Sequence, residues 1–568
     1  MIVVPADRIA AYKEQNWWGD VRLDDLFRTH LRAKPDAQAC VDPLNCEAIV
    51  GRAPLRLTWR ELDDLVARYA ALLVGKGVGK DDAVVVQLPN IIELGAVYLA
   101  CARLGVIVSP APVQYRENEL AYIAERVNAR AIITATRIGK HDHAAMAMRV
   151  KEAQPGVDFV LTVGAETQGA LQADAALAAL QPADLVAAQA AAQAADVTAD
   201  DIFTICWTSG TESAPKGVPR SHNEWIIMGQ GIVDAGDIEP GDHLLNPFPM
   251  VNMAGISTSF VSWLLVGGLL IQHHPFDLPV FLQQIREEKV DYTVAPPAVL
   301  NLLLQNEALL EGIDFSRLQN IGSGSAPLSA WMVGTFHEKY GVRITNFFGS
   351  NEGACFTSTY KDVPNAADRA SYFPRFADGF EWNAVLHDRI RTRLVDPDTE
   401  EEISEAGRVG EMRIKGPTIF SGYWKAPEIT DRAFDRDGWF RTGDLFRIAG
   451  DGLQFYEFVG RLKDIIIRGG MNISSEEIEG YLQGHPAIAD VALVGAPDPN
   501  LGERLCAFVV FKSDHTADLE AINRYLTEEK KVAVFKQIER LEAVDALPRN
   551  PVGKILKRDL RKRLNDAS

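Results

Sequence analysis

At 568 residues, 47% hydrophobic and 24% charged, the chain is too long for one ordinary core and too apolar to stay disordered, and its length suits roughly three to four domain-sized units. A formal net charge of -19 argues against a nucleic-acid partner, whose affinity rests on Lys and Arg neutralising phosphates, while a locally basic pocket for an anion remains open. Cys40, Cys46, Cys101, Cys206, Cys355 and Cys506 are scattered without CxxC pairs or His at metal-ligand spacing, so free thiols in a reducing compartment are expected.

The start of the chain meets Pro5, Asp7 and Arg8 before a signal-type apolar region can form. The longest apolar stretch, residues 260–271, is interrupted by Ser262 and two glycines and falls short of the ~18 residues of a membrane span. A cytoplasmic protein with no transmembrane segment is the expectation.

In chain order, residues 57–62 open a helix with Leu65, Tyr69, Leu72 and Leu73 on its apolar face, and residues 83–88 read as a buried strand ended by Pro89-Asn90. An apolar helix over 94–104 and a strand at 106–108 follow, and this alternation argues for α/β layers. An Ala- and Gln-rich stretch over about 165–195 reads as a surface helix and linker. Apolar alternation resumes at 290–294 and 342–345. The composition shifts again after Phe458, and a domain boundary is expected there, dividing a body, 1–460, from a tail, 461–568.

Directly after the strand-like Phe203-Thr204-Ile205-Cys206-Trp207 comes Thr208-Ser209-Gly210-Thr211-Glu212-Ser213-Ala214-Pro215-Lys216-Gly217. Small hydroxyl residues and glycines let backbone N–H groups close on phosphate oxygens, and Lys216 adds positive charge, so the run reads as a triphosphate cradle or, blandly, as a solvated turn. It is not a Walker A loop, because Pro215 precedes Lys216 and no Lys-Ser/Thr helix start follows.

Further on, Asn346-Phe347-Phe348-Gly349-Ser350-Asn351-Glu352-Gly353 ends a strand and presents one carboxylate beside glycines, which suits either a hard-cation ligand near phosphates or a plain turn acid. Trp439-Phe440-Arg441-Thr442-Gly443-Asp444 is expected to put an acid at a loop tip, where it could take both hydroxyls of a ribose. Gly460-Arg461-Leu462-Lys463-Asp464, followed by Arg468-Gly469-Gly470, mixes fixed charge with glycine freedom as a hinge requires. Pro548-Arg549-Asn550-Pro551-Val552-Gly553-Lys554 holds a lysine that alone would be a solvated surface residue.

Together and in this order, these five segments resemble the adenylate-forming superfamily of acyl-CoA synthetases, adenylation domains and luciferases. The resemblance implies a large multi-subdomain α/β body and a small mobile C-terminal α+β domain. It implies that a small carboxylic acid and Mg-ATP give an acyl-adenylate and pyrophosphate, after which a thiol takes the acyl group. On that resemblance, Thr208, Ser209, Gly210, Thr211 and Lys216 hold phosphates and Glu352 holds Mg²⁺. Ser325, Ala326, Phe348 and Gly349 flank adenine, with Phe348 stacked on it, and Asn351 donates to the α-phosphate. Asp444 and Arg461 take the ribose, Lys554 serves adenylation, Lys463 is the pivot, and Gly469 and Gly470 line a pantetheine tunnel.

Glu212 and Ser213 stand where the family commonly has Thr and Gly, and Asn351 where many relatives have Thr. In the pocket segment, Asn252 stands where many relatives have His, and Met253 and Ala254 replace the polar residues that dihydroxybenzoate enzymes use. With Gly255, this leaves an apolar, adaptable lining that favours an aliphatic, alicyclic or simple aromatic acid. CoA is the expected acceptor. A stand-alone enzyme that loads a carrier-protein thiol, a non-catalytic nucleotide-binding relative and a luciferase-like oxygenase are the alternatives, and a homodimer is left open.

Overall fold

The computed structural model describes residues 1–208, 215–324, 326–376, 379–468, 471–498, 501–530, 532–550 and 553–566. Two compact units emerge, the first from Met1–Thr208, Lys216–Arg391 and Lys415–Phe434, the second built on Thr392–Ile414 and Asp435–Ser568. The boundary expected at 460/461 lies inside the second unit, within the strand Phe455–Arg461.

The first unit contains two large sheets. In the seven-stranded one, Ile202–Trp207, Ile107–Pro110, Ala83–Gln87, Ala129–Ala135 and Phe159–Val163 are neighbours, all parallel, with Gly217–Ser221 antiparallel to Ile202–Trp207 at one edge. The strand Ala83–Gln87 is buried at every position, as a parallel strand covered on both faces must be. The helix Ile92–Leu104 is likewise buried at all positions, and its residues share one core with Leu244 and Leu270 of the eight-stranded sheet. That second sheet places Asn320–Gly324 parallel to Arg343–Gly349 and is the frame for two of the sequence motifs.

Local rules account for the element ends. The helix foreseen from residue 57 starts at Trp59, because Thr58 and Glu61 form a capping box there and Arg56–Thr58 pairs as a strand. The Ala/Gln-rich stretch contains the helices Ala173–Ala178 and Pro182–Ala194, the latter burying only Ala188. The apolar run at 260–271 is divided among a π-helical segment, Ile256–Val261, a short helix, Ser262–Val266, and the strand Leu269–Gln272. No helix of the described residues is long and apolar enough to cross a membrane. All six cysteines are reduced and buried, and burial pushes the Cys46 and Cys206 thiols up to about 12.

In the second unit an antiparallel sheet runs in the order Phe455–Arg461, Phe440–Ala449, Val409–Lys415, Arg391–Val395, Glu402–Ile403. A second sheet runs Met471–Ser474, Ile465–Arg468, Gly502–Phe511, Ile488–Asp498, with Arg540–Ala543 also on Gly502–Phe511. The helices Ser475–Leu482 and Lys557–Asp566 pack on its apolar faces.

His222 opens the helix His222–Ala235 and is fully buried, with its ring stacked on Phe203 at 5.5 Å and its Nδ1 accepting from the Leu23 N–H. Burial, with the positive charge of Arg22 behind it, lowers its pKa from 6.5 to about 4. The unfolded chain therefore binds a proton that the folded one refuses, and stability drops as pH falls from 6.5 toward 4, by about 3 kcal/mol at most from this group. His222→Gln is expected to flatten that part of the acid loss. Urea midpoints of both proteins between pH 7.5 and 4.5 check this, and equal pH slopes would contradict it.

Candidate active site

The base of the Thr208–Lys216 loop continues the hairpin of Ile202–Trp207 and Gly217–Ser221. The Thr208 N–H donates to the Lys216 carbonyl (3.0 Å), and the Lys216 N–H donates to the Thr208 hydroxyl (3.3 Å). Ser209, Gly210 and Thr211, together with Glu212 and Ser213, lie outside the described residues, as do Ser325, Gly469 and Gly470. The Lys216 ammonium donates to the Tyr423 hydroxyl (3.2 Å) and lies 4.3 Å from the centre of its ring. Tyr423 in turn donates to Glu352 Oε1 (2.8 Å).

Glu352 sits half-buried in a turn beyond the strand Arg343–Gly349, where the Ser350 N–H donates to the Ala354 carbonyl and the Gly353 N–H to the Ser350 carbonyl. Gly353 has φ +101°, and a Cβ there would lie 1.8 Å from the Thr418 carbonyl oxygen, so only glycine fits. Arg220, fully buried, closes the turn from behind. Its Nε and Nη2 donate to the Asn351 carbonyl (3.0 and 2.8 Å), and its Nη1 donates to the Thr418 carbonyl (2.6 Å).

Asn351 is engaged within the protein through both ends of its amide. Its Oδ1 accepts from the Met253 N–H (2.8 Å) and its Nδ2 donates to the Trp207 carbonyl (3.3 Å). Here the amide ties the end of the phosphate-loop strand to the segment after Met250. Phe348 stands half-buried in the strand with its ring 5.8 Å from Phe356 and 6.1 Å from Phe373. The strand Asn320–Gly324, which runs parallel to this one, ends just before the exposed Ala326, so Ala326, Phe348 and the exposed Gly349 belong to neighbouring strand ends.

Asn252 caps the short helix Met253–Gly255 by accepting from the Gly255 N–H, and Met253 is packed into the main core. A Cβ on Gly255 would lie 2.0 Å from the Pro249 carbonyl oxygen. The glycine is required by a close backbone approach, so any larger residue there would push the Pro249 backbone aside.

In the second unit Asp444 corrects the loop-tip expectation. It lies in the strand Phe440–Ala449, opposite Arg461, is only 4% exposed, and its carboxylate is 3.2 Å from Arg461 Nε. Gly443, with φ +69°, and a register shift just beyond Asp444 gave the segment its turn-like composition. Lys463 is exposed in the 3₁₀ turn Leu462–Asp464, where Arg561 donates to its carbonyl (3.2 Å) and pairs with the Asp464 carboxylate (2.8 Å). Lys554 is exposed on a turn closed by Asn550, whose side chain accepts from the Lys554 N–H and whose N–H donates to the Lys554 carbonyl, both at 2.8 Å. Three residues on, the Lys557 side chain, 10% exposed, meets Glu479 (2.8 Å) and Ser475 (2.7 Å). Burial pushes Glu479 up to about 7, while the Glu479, Glu476 and Asp464 carboxylates overcome burial to raise Lys557.

Among the described residues no group of three or more His, Cys, Asp and Glu side chains could hold a metal ion. One carboxylate beside a phosphate loop fits Mg²⁺, which keeps several waters and takes phosphate oxygens instead of an all-protein cage. Arg220 and Tyr423 are the two residues that sequence reading passed over. Arg220 is visible only as a charge inside an apolar strand, and nothing in the spacing ties Tyr423 to Glu352, 71 positions away.

The chain matches the family model "AMP-binding enzyme" over residues 27–424 and "AMP-binding enzyme C-terminal domain" over 477–554. It is 29% identical over 558 residues to the medium-chain fatty-acid–CoA ligase of Escherichia coli (strain K12), covering 98% of this chain and 92% of the relative. It is 31% identical over 562 residues to the 2-hydroxy-7-methoxy-5-methyl-1-naphthoate–CoA ligase of Streptomyces carzinostaticus, covering 98% and 96%. Among solved structures it is similar to ATP-bound MatB from Rhodopseudomonas palustris, with TM-score 0.76 and 26% identity, over 96% of this chain and 100% of that one. The first family model matches well over half of the chain, and the chain belongs to the AMP-binding enzyme family, within the adenylate-forming superfamily.

Proposed function

We propose that this adenylate-forming enzyme is an AMP-forming acyl-CoA ligase for a medium-chain, alicyclic or simple aromatic acid. The observation that carries the reading is the connected set Lys216, Tyr423 and Glu352 at the end of the phosphate loop. It supplies one cation and one metal-type carboxylate where a triphosphate would need them. In the first step a carboxylate oxygen of the acid forms a bond to the α-phosphorus, and the bond from that phosphorus to the bridging oxygen breaks, releasing pyrophosphate. In the second step the CoA sulfur bonds to the acyl carbon and the C–O bond to AMP breaks, the thiol proton passing to solvent.

Attack by an anion on a polyanion requires offsetting charge. Lys216, with the Thr208 segment, takes phosphate oxygens, and Lys554 serves the first step. Mg²⁺, held by Glu352, would neutralise phosphate charge when bound. Phe348, Gly349 and Ala326 are assigned to adenine, and the Asp444–Arg461 pair to the ribose, its carboxylate already oriented by the guanidinium. Asn252 and Met253 are assigned to the acyl end, with Gly255 holding the backbone turn between them and Pro249. The lid is assigned to 461–568, with Lys463 as pivot and Gly469 and Gly470 at the thiol. The reduced thiols suit a cytoplasmic setting.

The test is acid-dependent pyrophosphate release across straight-chain, cyclohexane, benzoic and hydroxybenzoic acids, with free CoA and a holo carrier protein offered side by side. Turnover of apolar acids with CoA supports the reading, while transfer to the carrier alone would replace it with the carrier-loading one.

Lys554→Ala is expected to lower pyrophosphate release by a factor on the order of 10² to 10³, the usual cost of one charge-stabilising group, while thioester formation from a supplied acyl-adenylate survives. Equal loss in both half-reactions contradicts the role. Lys463→Pro, which fixes φ near about -65°, is expected to keep adenylation and stall transfer to CoA, and full ligase turnover in that variant would refute the pivot.

A further inference from the structure

The hydroxyl of Tyr423 stands between the two charged groups of the site. It accepts from the Lys216 ammonium (3.2 Å) and donates to the Glu352 carboxylate (2.8 Å), and the same ring carries the ammonium over its face at 4.3 Å. A lysine and a glutamate that paired directly would each cancel the charge that the other's partner needs. A neutral hydroxyl between them satisfies both while leaving each its charge.

Tyr423 itself is held firmly. Its N–H donates to the Thr430 hydroxyl (2.9 Å), its ring meets Phe420 edge-on at 4.8 Å, and it is 8% exposed. The segment that carries it is fastened to both of its clients through the backbone. The Trp424 N–H donates to the Gly217 carbonyl (2.8 Å), directly after Lys216, and the Phe420 N–H donates to the Glu352 carbonyl (3.0 Å). Residues 420–424 therefore fix the end of the phosphate loop and the acidic turn relative to each other, and the phenol completes this at the level of the side chains.

We infer that Tyr423 is a positioning residue: it orients the Glu352 carboxylate for a metal ion on nucleotide phosphates and stores Lys216 until phosphate replaces the phenol as its partner. This rests on the reading of Glu352 as the metal ligand. Releasing Lys216 breaks one hydrogen bond to a neutral hydroxyl and one cation–π contact, both of which a phosphate oxygen readily outcompetes.

The test is Tyr423→Phe, which keeps the ring and its packing and removes only the hydroxyl. Binding of a fluorescent ATP analogue to the full-length protein is measured without acid, as Mg²⁺ is titrated and again in EDTA. The Mg²⁺ concentration at half-maximal binding is expected to rise about 10-fold, the usual loss when a partner that orients a metal ligand is removed, while affinity in EDTA changes less than about 2-fold. Glu352→Gln is run beside it. If Glu352→Gln leaves the Mg²⁺ midpoint where it was, the metal-ligand reading fails. If that variant shifts the midpoint and Tyr423→Phe does not, or if Tyr423→Phe weakens metal-free binding equally, the inference about Tyr423 is overturned.

Discussion

A single buried guanidinium fixes the turn that presents Glu352. Arg220 is completely buried, and its hydrogen bonds reach the carbonyls of Asn351 and Thr418 from two distant stretches of chain. Its nearest carboxylate, Glu224, is 4.0 Å away, and burial raises the pKa of that acid and lowers that of Arg220. A cation kept in such a place is costly unless its donors are used, and hydrogen bonds from a charged donor are worth roughly twice neutral ones. The carbonyls it binds are thereby held in one arrangement. Gly353 is confined by the same contact, since a Cβ there would be 2.4 Å from Arg220 Nη2. The turn that presents Glu352 has little freedom left.

From this point the connections spread outward. Asn351, whose carbonyl Arg220 holds, uses its side chain to join Trp207 and Met253, so the end of the strand Ile202–Trp207 and the segment after Met250 are tied to the same residue. The Thr418 end continues through Phe420 and Tyr423 to Glu352, Lys216 and Gly217. In the second unit the equivalent economy is the Asp444–Arg461 pair across a strand ladder and Lys557, which anchors the helix after Lys554 to Glu479 and Ser475.

The α/β layering was legible because buried parallel strands and their helices announce themselves as apolar runs, as at 83–88 and 94–104. The turn around Glu352 was legible because its glycines make an unusual composition. Asp444 was misplaced because Thr442 and Gly443 resemble a turn, whereas a positive-φ glycine and a bulge can sit inside a strand. Gly255, expected in a pocket lining, marks a close backbone approach to Pro249, a distinction that only three-dimensional neighbours make. Arg220 and Tyr423 were invisible for a related reason. Their partners are carbonyls and side chains brought close by folding, and no local pattern encodes them.

In an adenylate-forming enzyme a carboxylate oxygen of the substrate attacks the α-phosphorus of ATP. It is tested most directly by turning over the best acid of the panel with both carboxylate oxygens replaced by ¹⁸O and analysing the products by mass spectrometry. One ¹⁸O is expected in AMP for each thioester formed, and none in pyrophosphate. Label in pyrophosphate or inorganic phosphate, or AMP without label, would contradict it.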